Sequence, residues 1–255
     1  MDNNSHNIDK LKQEFIANAS HELKTPVTSI QLAVETAITA LENSELEDTR
    51  KFLNQILKDS QRMTLLLSDL LDLSQLEVND PVKETVNLKK IIEAEIGFLS
   101  EENKKRVNFE SADIDFLIDP DDFSMIVRNL LRNACNYSEQ NKKIDVNLFF
   151  DNSEIVLSIQ DRGRGISKAD QARIFERFYR VDKGRSRALG GTGIGLSIVK
   201  HAVERNNGDI QVKSNLGEGS ELSLIHISEP TRPERIGYAG VWGEKKKGGG
   251  GGGGG

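Results

Sequence analysis

The chain has 255 residues, 36% hydrophobic and 29% charged, with a formal net charge of −6. That length is ample for a sizeable core and suits one large or two small domains. A single cysteine, Cys135, excludes a disulfide framework and a cysteine-rich zinc module, and the acidic balance argues against a dedicated nucleic-acid binder, which carries a basic face. No apolar run approaches the roughly 18 residues of a membrane span, and the polar start MDNNSHNIDK is no signal peptide. A soluble, intracellular, two-part protein is the expectation.

Two long helices are predicted up to about Leu76. In the first, Phe15, Ala19, Leu23, Val27, Ile30, Val34, Ala37 and Leu41 recur at steps of three and four; in the second, Phe52, Ile56, Met63, Leu66, Leu70 and Leu73 do the same. Glu42-Asn43-Ser44 supplies the turn between them. Two helices cannot enclose a core alone, so such a hairpin is expected to pair with a second copy as a four-helix bundle. Asn79-Asp80-Pro81 closes the second helix. Helices are then predicted over Val86 to Leu99 and Asp122 to Tyr137. Strands are predicted over Ile144 to Phe150 and Ile155 to Ile159, with Asp151-Asn152-Ser153 as their turn. A helix from about Gly195 to Asn206, a strand over Ile210 to Lys213 and a last strand from near Ser220 complete the pattern. Helices against one face of a mixed sheet make an α+β sandwich.

Four motifs carry chemistry. Ser20-His21-Glu22-Leu23-Lys24-Thr25-Pro26 lies in the first helix, where His21 falls between the apolar positions 19 and 23 and so points outward. A neutral imidazole is a good nucleophile near pH 7. Glu22 could hold the ring's other nitrogen, and the Thr25 hydroxyl, one turn on, could position a water. Pro26 inside a continuing helical pattern predicts a kink. In Asn129-Leu130-Leu131-Arg132-Asn133-Ala134-Cys135-Asn136-Tyr137, the asparagines at i and i+4 offer neutral oxygens from one helix face, which suits magnesium that keeps water and phosphate ligands.

Asp161-Arg162-Gly163-Arg164-Gly165-Ile166 follows a strand, with glycines that let a nucleotide approach the backbone and an aspartate able to accept from an adenine amino group. Phe175-Glu176-Arg177-Phe178-Tyr179-Arg180 precedes Gly190-Gly191-Thr192-Gly193-Ile194-Gly195-Leu196, whose glycines open a helix and expose N–H groups suited to phosphate. Arg173 to Arg187 holds six basic and two acidic residues in an acidic chain, which fits a polyanion. Val181 to Leu189 is polar and without period, as expected of a lid.

In this order the motifs resemble the catalytic core of the sensor histidine kinases, over roughly Lys10 to Glu221. The resemblance implies a HisKA-type dimerisation and phosphotransfer hairpin over 1–79, a linker over 80–85 and a GHKL-type ATP-binding domain over 86–221. It implies that His21 accepts the γ-phosphate of ATP, with Glu22 as its acid–base partner and Thr25 assisting the reverse dephosphorylation of the partner. Asn133, helped by Asn129, would bind Mg²⁺. Tyr137 and Tyr179 would lie at the nucleotide, and Asp161 would read the adenine, with Gly163 and Gly165 making room. Arg177 and Arg180 would stabilise the γ-phosphate, and Gly191, Thr192, Gly193, Gly195 and Leu196 would shape the lid hinge and phosphate end. This is phosphoryl transfer by positioning, without a Walker loop.

The implied partners are a second copy of the chain, as a homodimer, and the receiver domain of a response regulator, whose aspartate takes the phosphoryl group. The resemblance implies a cytoplasmic catalytic core and leaves open an inner-membrane anchor through a sensor region not seen here. A dimeric nucleotide-binding module with little kinase activity, and a clamp ATPase of the same superfamily, are the competing readings; the SHELKTP motif argues against the clamp.

Two departures stand out. Asn136 occupies a position where many relatives have lysine. The segment from about Leu222, beginning LSLIHISEPTR and ending in a glycine run, looks like translated sequencing adapter, and 222–255 is expected to be non-native. Leu222-Ser223-Leu224-Ile225 nevertheless alternates as a strand does.

Overall fold

The computed structural model describes residues 2–151, 154–182, 184 and 190–227. The first helix, α1, spans Asp2–Glu42 and continues through Pro26; α2 spans Leu46–Val78 and returns antiparallel to it. Ser44 takes a left-handed backbone at φ 61°, and the Glu45 N–H donates back to the Ala40 carbonyl, which satisfies the end of α1 as the chain reverses.

The predicted apolar stripe of α1 divides between two lines. Small residues, Ala33, Ala37 and Ala40, are buried, whereas Val34, Ile38 and Leu41 remain exposed. On α2, Leu66, Leu73 and Leu76 are buried, and Leu53, Leu57, Leu67 and Leu71 are exposed. Alanine on the buried line lets the two helix axes approach closely. Val34, Ile38 and Leu41 are left to a surface that a single chain does not cover, whereas Phe15 and Leu23 nearer the start of α1 pack against the core.

Strand β1 (Glu84–Asn87) pairs antiparallel with β3 (Asp115–Ile118) and leads directly into helix α3 (Leu88–Gly97). The helix predicted from Val86 thus begins two residues later. Val86 and Asn87 are claimed by β3, and the Asn87 side chain accepts from the Lys90 N–H as the cap of α3. A short helix α4 (Glu101–Lys104) and strand β2 (Val107–Ser111) follow; the three strands β1, β2 and β3 are absent from the sequence-based expectation, although Val107-Asn108-Phe109-Glu110 does alternate over a short run. Helix α5 (Pro120–Tyr137) starts with proline at its first turn, and Asp119 caps it by accepting from the N–H groups of Asp121 and Asp122.

Strands β4 (Ile144–Asp151) and β5 (Glu154–Asp161), the short helix α6 (Lys168–Gln171), helix α7 (Gly195–Arg205), and strands β6 (Gly208–Asn215) and β7 (Gly219–Ile227) complete the domain. The larger sheet has the order β2-β4-β5-β7-β6, with β2 and β4 parallel and every other pair antiparallel. Ile144, Val146 and Leu148 of β4, Leu157 and Ile159 of β5, and Leu222 and Leu224 of β7 share one core with Ile126 and Leu130 of α5 and Ile198 and Ala202 of α7. The hairpin followed by an α/β sandwich is the architecture expected from the sequence.

The ordered strand continues past the boundary expected at Glu221. Residues from Leu222 extend β7 in register with β5 as far as Ile227 and with β6 as far as His226, and Leu222 and Leu224 are buried. Their alternation meets the requirement of a central strand. The Asn152-Ser153 turn, Lys183 and 185–189 of the expected lid, and everything after Ile227 lie outside the described residues.

Candidate active site

Helix α5, the β5–α6 turn, the segment before α7 and the start of β7 converge on one pocket. Asn133, Tyr137, Asp161, Gly165, Tyr179, Arg180, Gly191, Thr192, Gly193, Gly195 and Leu196 all line it, as do Arg132, Asn136 and Arg164. Residues as far apart as Arg132 and Leu222 meet here because β5 delivers Asp161 to the mouth of the sheet beside the C-terminal turns of α5.

Asp161 is buried, and its carboxylate accepts from the Gly163 N–H at 2.8 Å. Burial pushes its carboxyl above the ordinary range, against the opposing hydrogen bonds from the Gly163 and Ser220 backbone. Gly163 does not itself line the pocket; a Cβ there would come within 2.1 Å of the Tyr137 carbonyl, so the chain can only pass with glycine. Gly165 has φ +72°, and a Cβ on it would lie 1.9 Å from the Asn215 carbonyl, so both handedness and space demand glycine.

The two asparagines divide. Asn133 faces the pocket. Asn129 is buried, its Nδ2 donating to the Met125 carbonyl and its Oδ1 accepting from Arg132. One neutral oxygen at the pocket suits a magnesium ion that arrives with its phosphates, since the described residues hold no group of three or more His, Cys, Asp or Glu able to bind a metal unaided.

The two arginines divide likewise. Arg180 lines the pocket, donates to the Thr192 carbonyl at 2.6 Å and reaches Glu22 Oε2 at 3.0 Å. Arg177 instead pairs with Glu77 of α2 and lies 5.2 Å over the Phe15 ring. Phe178 between them adopts a left-handed backbone at φ 63° and sets its ring 5.8 Å from that of Phe15. Tyr179 donates its hydroxyl to Asp170, and Arg173 covers its ring.

On the hairpin, His21 is exposed as expected. Glu22 is drawn into a three-way ion pair, its Oε2 accepting from Arg62 of α2 at 2.9 Å as well as from Arg180. Thr25 donates its hydroxyl to the His21 carbonyl at 3.1 Å.

Four residues of this arrangement were not singled out in the sequence: Asp69, Arg132, Arg164 and Arg62. Asp69 did leave a signal, since a carboxylate on the buried line of Leu66, Leu73 and Leu76 requires a partner.

Residues 11–79 match the family of the His Kinase A (phospho-acceptor) domain, and residues 118–231 match the Histidine kinase-, DNA gyrase B-, and HSP90-like ATPase family. The chain is 32% identical over 239 residues to the sensor-like histidine kinase SenX3 of Mycolicibacterium smegmatis, covering 89% of this chain and 60% of that one. It is 33% identical over 226 residues to the sensor histidine kinase WalK of Bacillus subtilis, covering 85% of this chain and 37% of the relative. The fold matches the Acinetobacter baumannii histidine kinase AdeS with a TM-score of 0.62 at 22% identity, over 80% of this chain and 96% of that one.

The chain is therefore a homologue of the sensor histidine kinases, carrying their phospho-acceptor domain and their ATPase-type domain in that order. It spans between about two fifths and three fifths of the length of these curated relatives. Among its described residues no helix is long and apolar enough to cross a membrane.

Proposed function

We propose that this chain is the catalytic core of a protein-histidine kinase of a two-component system. ATP binds in the pocket between α5, Asp161 and the glycine-rich entry to α7. Asp161 accepts from the adenine amino group, and Tyr137 and Tyr179 flank the nucleotide. The backbone from Gly191 to Gly195, ahead of the first turn of α7, presents N–H groups to the phosphates. Asn133 supplies an oxygen to Mg²⁺, which neutralises phosphate charge.

His21 attacks the γ-phosphorus through one ring nitrogen, the bond to the bridging oxygen breaks, and ADP leaves; the proton on the other ring nitrogen passes to the Glu22 carboxylate, leaving a neutral phosphohistidine. The phosphoryl group then passes to an aspartate of a response-regulator receiver domain, and Thr25 serves the reverse hydrolysis. The large exposed side chains of the hairpin supply the face on which a second copy forms the homodimer.

The observation that carries this reading is Arg180. It lines the nucleotide pocket and holds Glu22, the residue next to His21, so one guanidinium spans from nucleotide site to phosphoacceptor motif. Incubation with γ-labelled ATP and Mg²⁺ is expected to give a base-stable, acid-labile label, absent from His21→Gln. Label that persists in that variant overturns the assignment of His21. ATP binding without any label favours the non-catalytic binding module instead.

A further inference from the structure

Asp69 lies on the hairpin, yet its side chain is only 2% exposed, because it inserts into the wall of the nucleotide pocket. Arg132 grips it with both arms of its guanidinium, Nη1 to Oδ1 at 3.0 Å and Nη2 to Oδ2 at 3.1 Å. The Thr192 hydroxyl donates to the same Oδ2 while accepting from the Ile194 N–H. The Arg132 fork is pressed against the start of α7 so closely that a Cβ on Gly195 would sit 2.8 Å from it. A planar fork, a hydroxyl and the glycine-rich entry to a helix are the donors that bind a phosphate oxyanion.

The wider pocket repeats the theme. Arg132, Arg164 and Arg180 line it, and each is tied to a carboxylate: Asp69, Asp182 and Glu22 respectively. Asp161 is the acidic side chain among the lining residues, and it lies at the expected adenine end. A triphosphate entering this pocket meets cations already occupied, two of them by carboxylates of the hairpin. Asn136, one turn along α5 from Arg132, brings no charge to the same wall.

We infer that Arg132 is a phosphate-binding residue of the nucleotide site, and that the Asp69 carboxylate holds its guanidinium and the Thr192 hydroxyl until nucleotide phosphate replaces it. This rests on the reading of the pocket as an ATP site. Nucleotide binding and docking of the hairpin on the pocket wall then compete for one set of donors. The hairpin's position against the ATP domain thereby sets nucleotide affinity, and bound nucleotide in turn releases α2 from α5 and α7.

The test is titration calorimetry of Mg·ATP into the full chain and its variants. Removing the competitor by Asp69→Asn is expected to tighten ATP about tenfold, because the competent state no longer has to be freed. Arg132→Gln is expected to weaken binding by about tenfold or more, whereas Arg132→Lys, which keeps a charge for phosphate but loses the fork that grips Asp69, stays within about threefold of the parent. In the Arg132→Gln background Asp69→Asn frees only the Thr192 hydroxyl, so its gain is expected to shrink to about threefold or less.

If Asp69→Asn fails to fold, the contrast between Arg132→Lys and Arg132→Gln decides. Equal losses in those two variants, or Asp69→Asn binding no tighter than the parent, overturn the inference. If the unaltered chain binds no Mg·ATP at all, the reading of the pocket fails first.

Discussion

Asp161 shows what a single buried carboxylate costs. Its carboxyl is held above the ordinary range by burial, so the folded protein binds that proton more tightly than the unfolded chain does. The stability contributed by this group is present below the ordinary carboxylate pKa and is lost as pH rises through the raised value. Asp161→Asn removes the buried charge. Its melting temperature relative to the parent is expected to climb as the buffer is taken from about pH 4 to about pH 7, read by thermal unfolding monitored by circular dichroism. In the same variant ATP affinity is expected to fall by roughly tenfold, because the amide recognises the adenine amino group less strongly than a carboxylate does.

At the scale of elements, α2 belongs to both halves of the molecule. Its first half runs along α1, but Leu66, Leu73 and Leu76 are part of the same core as α5, α7 and the sheet. The Leu76 carbonyl accepts from Arg205 at the end of α7, and Glu77 accepts from Arg177. Leu73 is 1% exposed, so Leu73→Ala is expected to destabilise the fold by about 3 kcal/mol. Leu53→Ala, on the exposed line of the same helix, is expected to cost far less in a single chain; guanidinium unfolding of the two variants checks the difference.

The elements most legible in the sequence were those whose own period specified them: α1, α2, α5, α7, β4 and β5. Strands β1 and β3 were not, because each is four residues long and is defined by pairing with the other. Strand β2 gains its place only by parallel pairing with β4, and nothing local records that partner.

At the scale of the whole molecule, the exposed apolar line is the feature a single chain leaves unexplained. Leu32, Ile38, Leu41, Leu53, Leu57 and Leu71 are all more than half exposed on one helical hairpin. So many exposed large apolar side chains on one helical hairpin are the mark of an interface. Sedimentation equilibrium is expected to give a dimer, and the double substitution Leu53→Lys, Leu57→Lys is expected to shift it to monomer. Retention of the dimer in that variant would place the interface elsewhere.

The sequence by itself determined the chemistry on offer: an exposed histidine, a pair of asparagines on one helix face, two glycine-rich turns and a basic stretch, in an order that resembles one family. It also determined the hairpin and the main sandwich elements, because helical and strand periods are local properties. Only the tertiary structure decided how the candidates are divided. It set Asn133 in the pocket and buried Asn129 behind Arg132; it turned Arg180 inward and Arg177 out to Glu77. It also brought Asp69 across from the hairpin to Arg132 and Thr192, more than sixty and more than a hundred positions away. An ion pair between distant residues has no period and leaves no motif. Its existence depends on which surfaces meet, and that is settled by burial of the core they share.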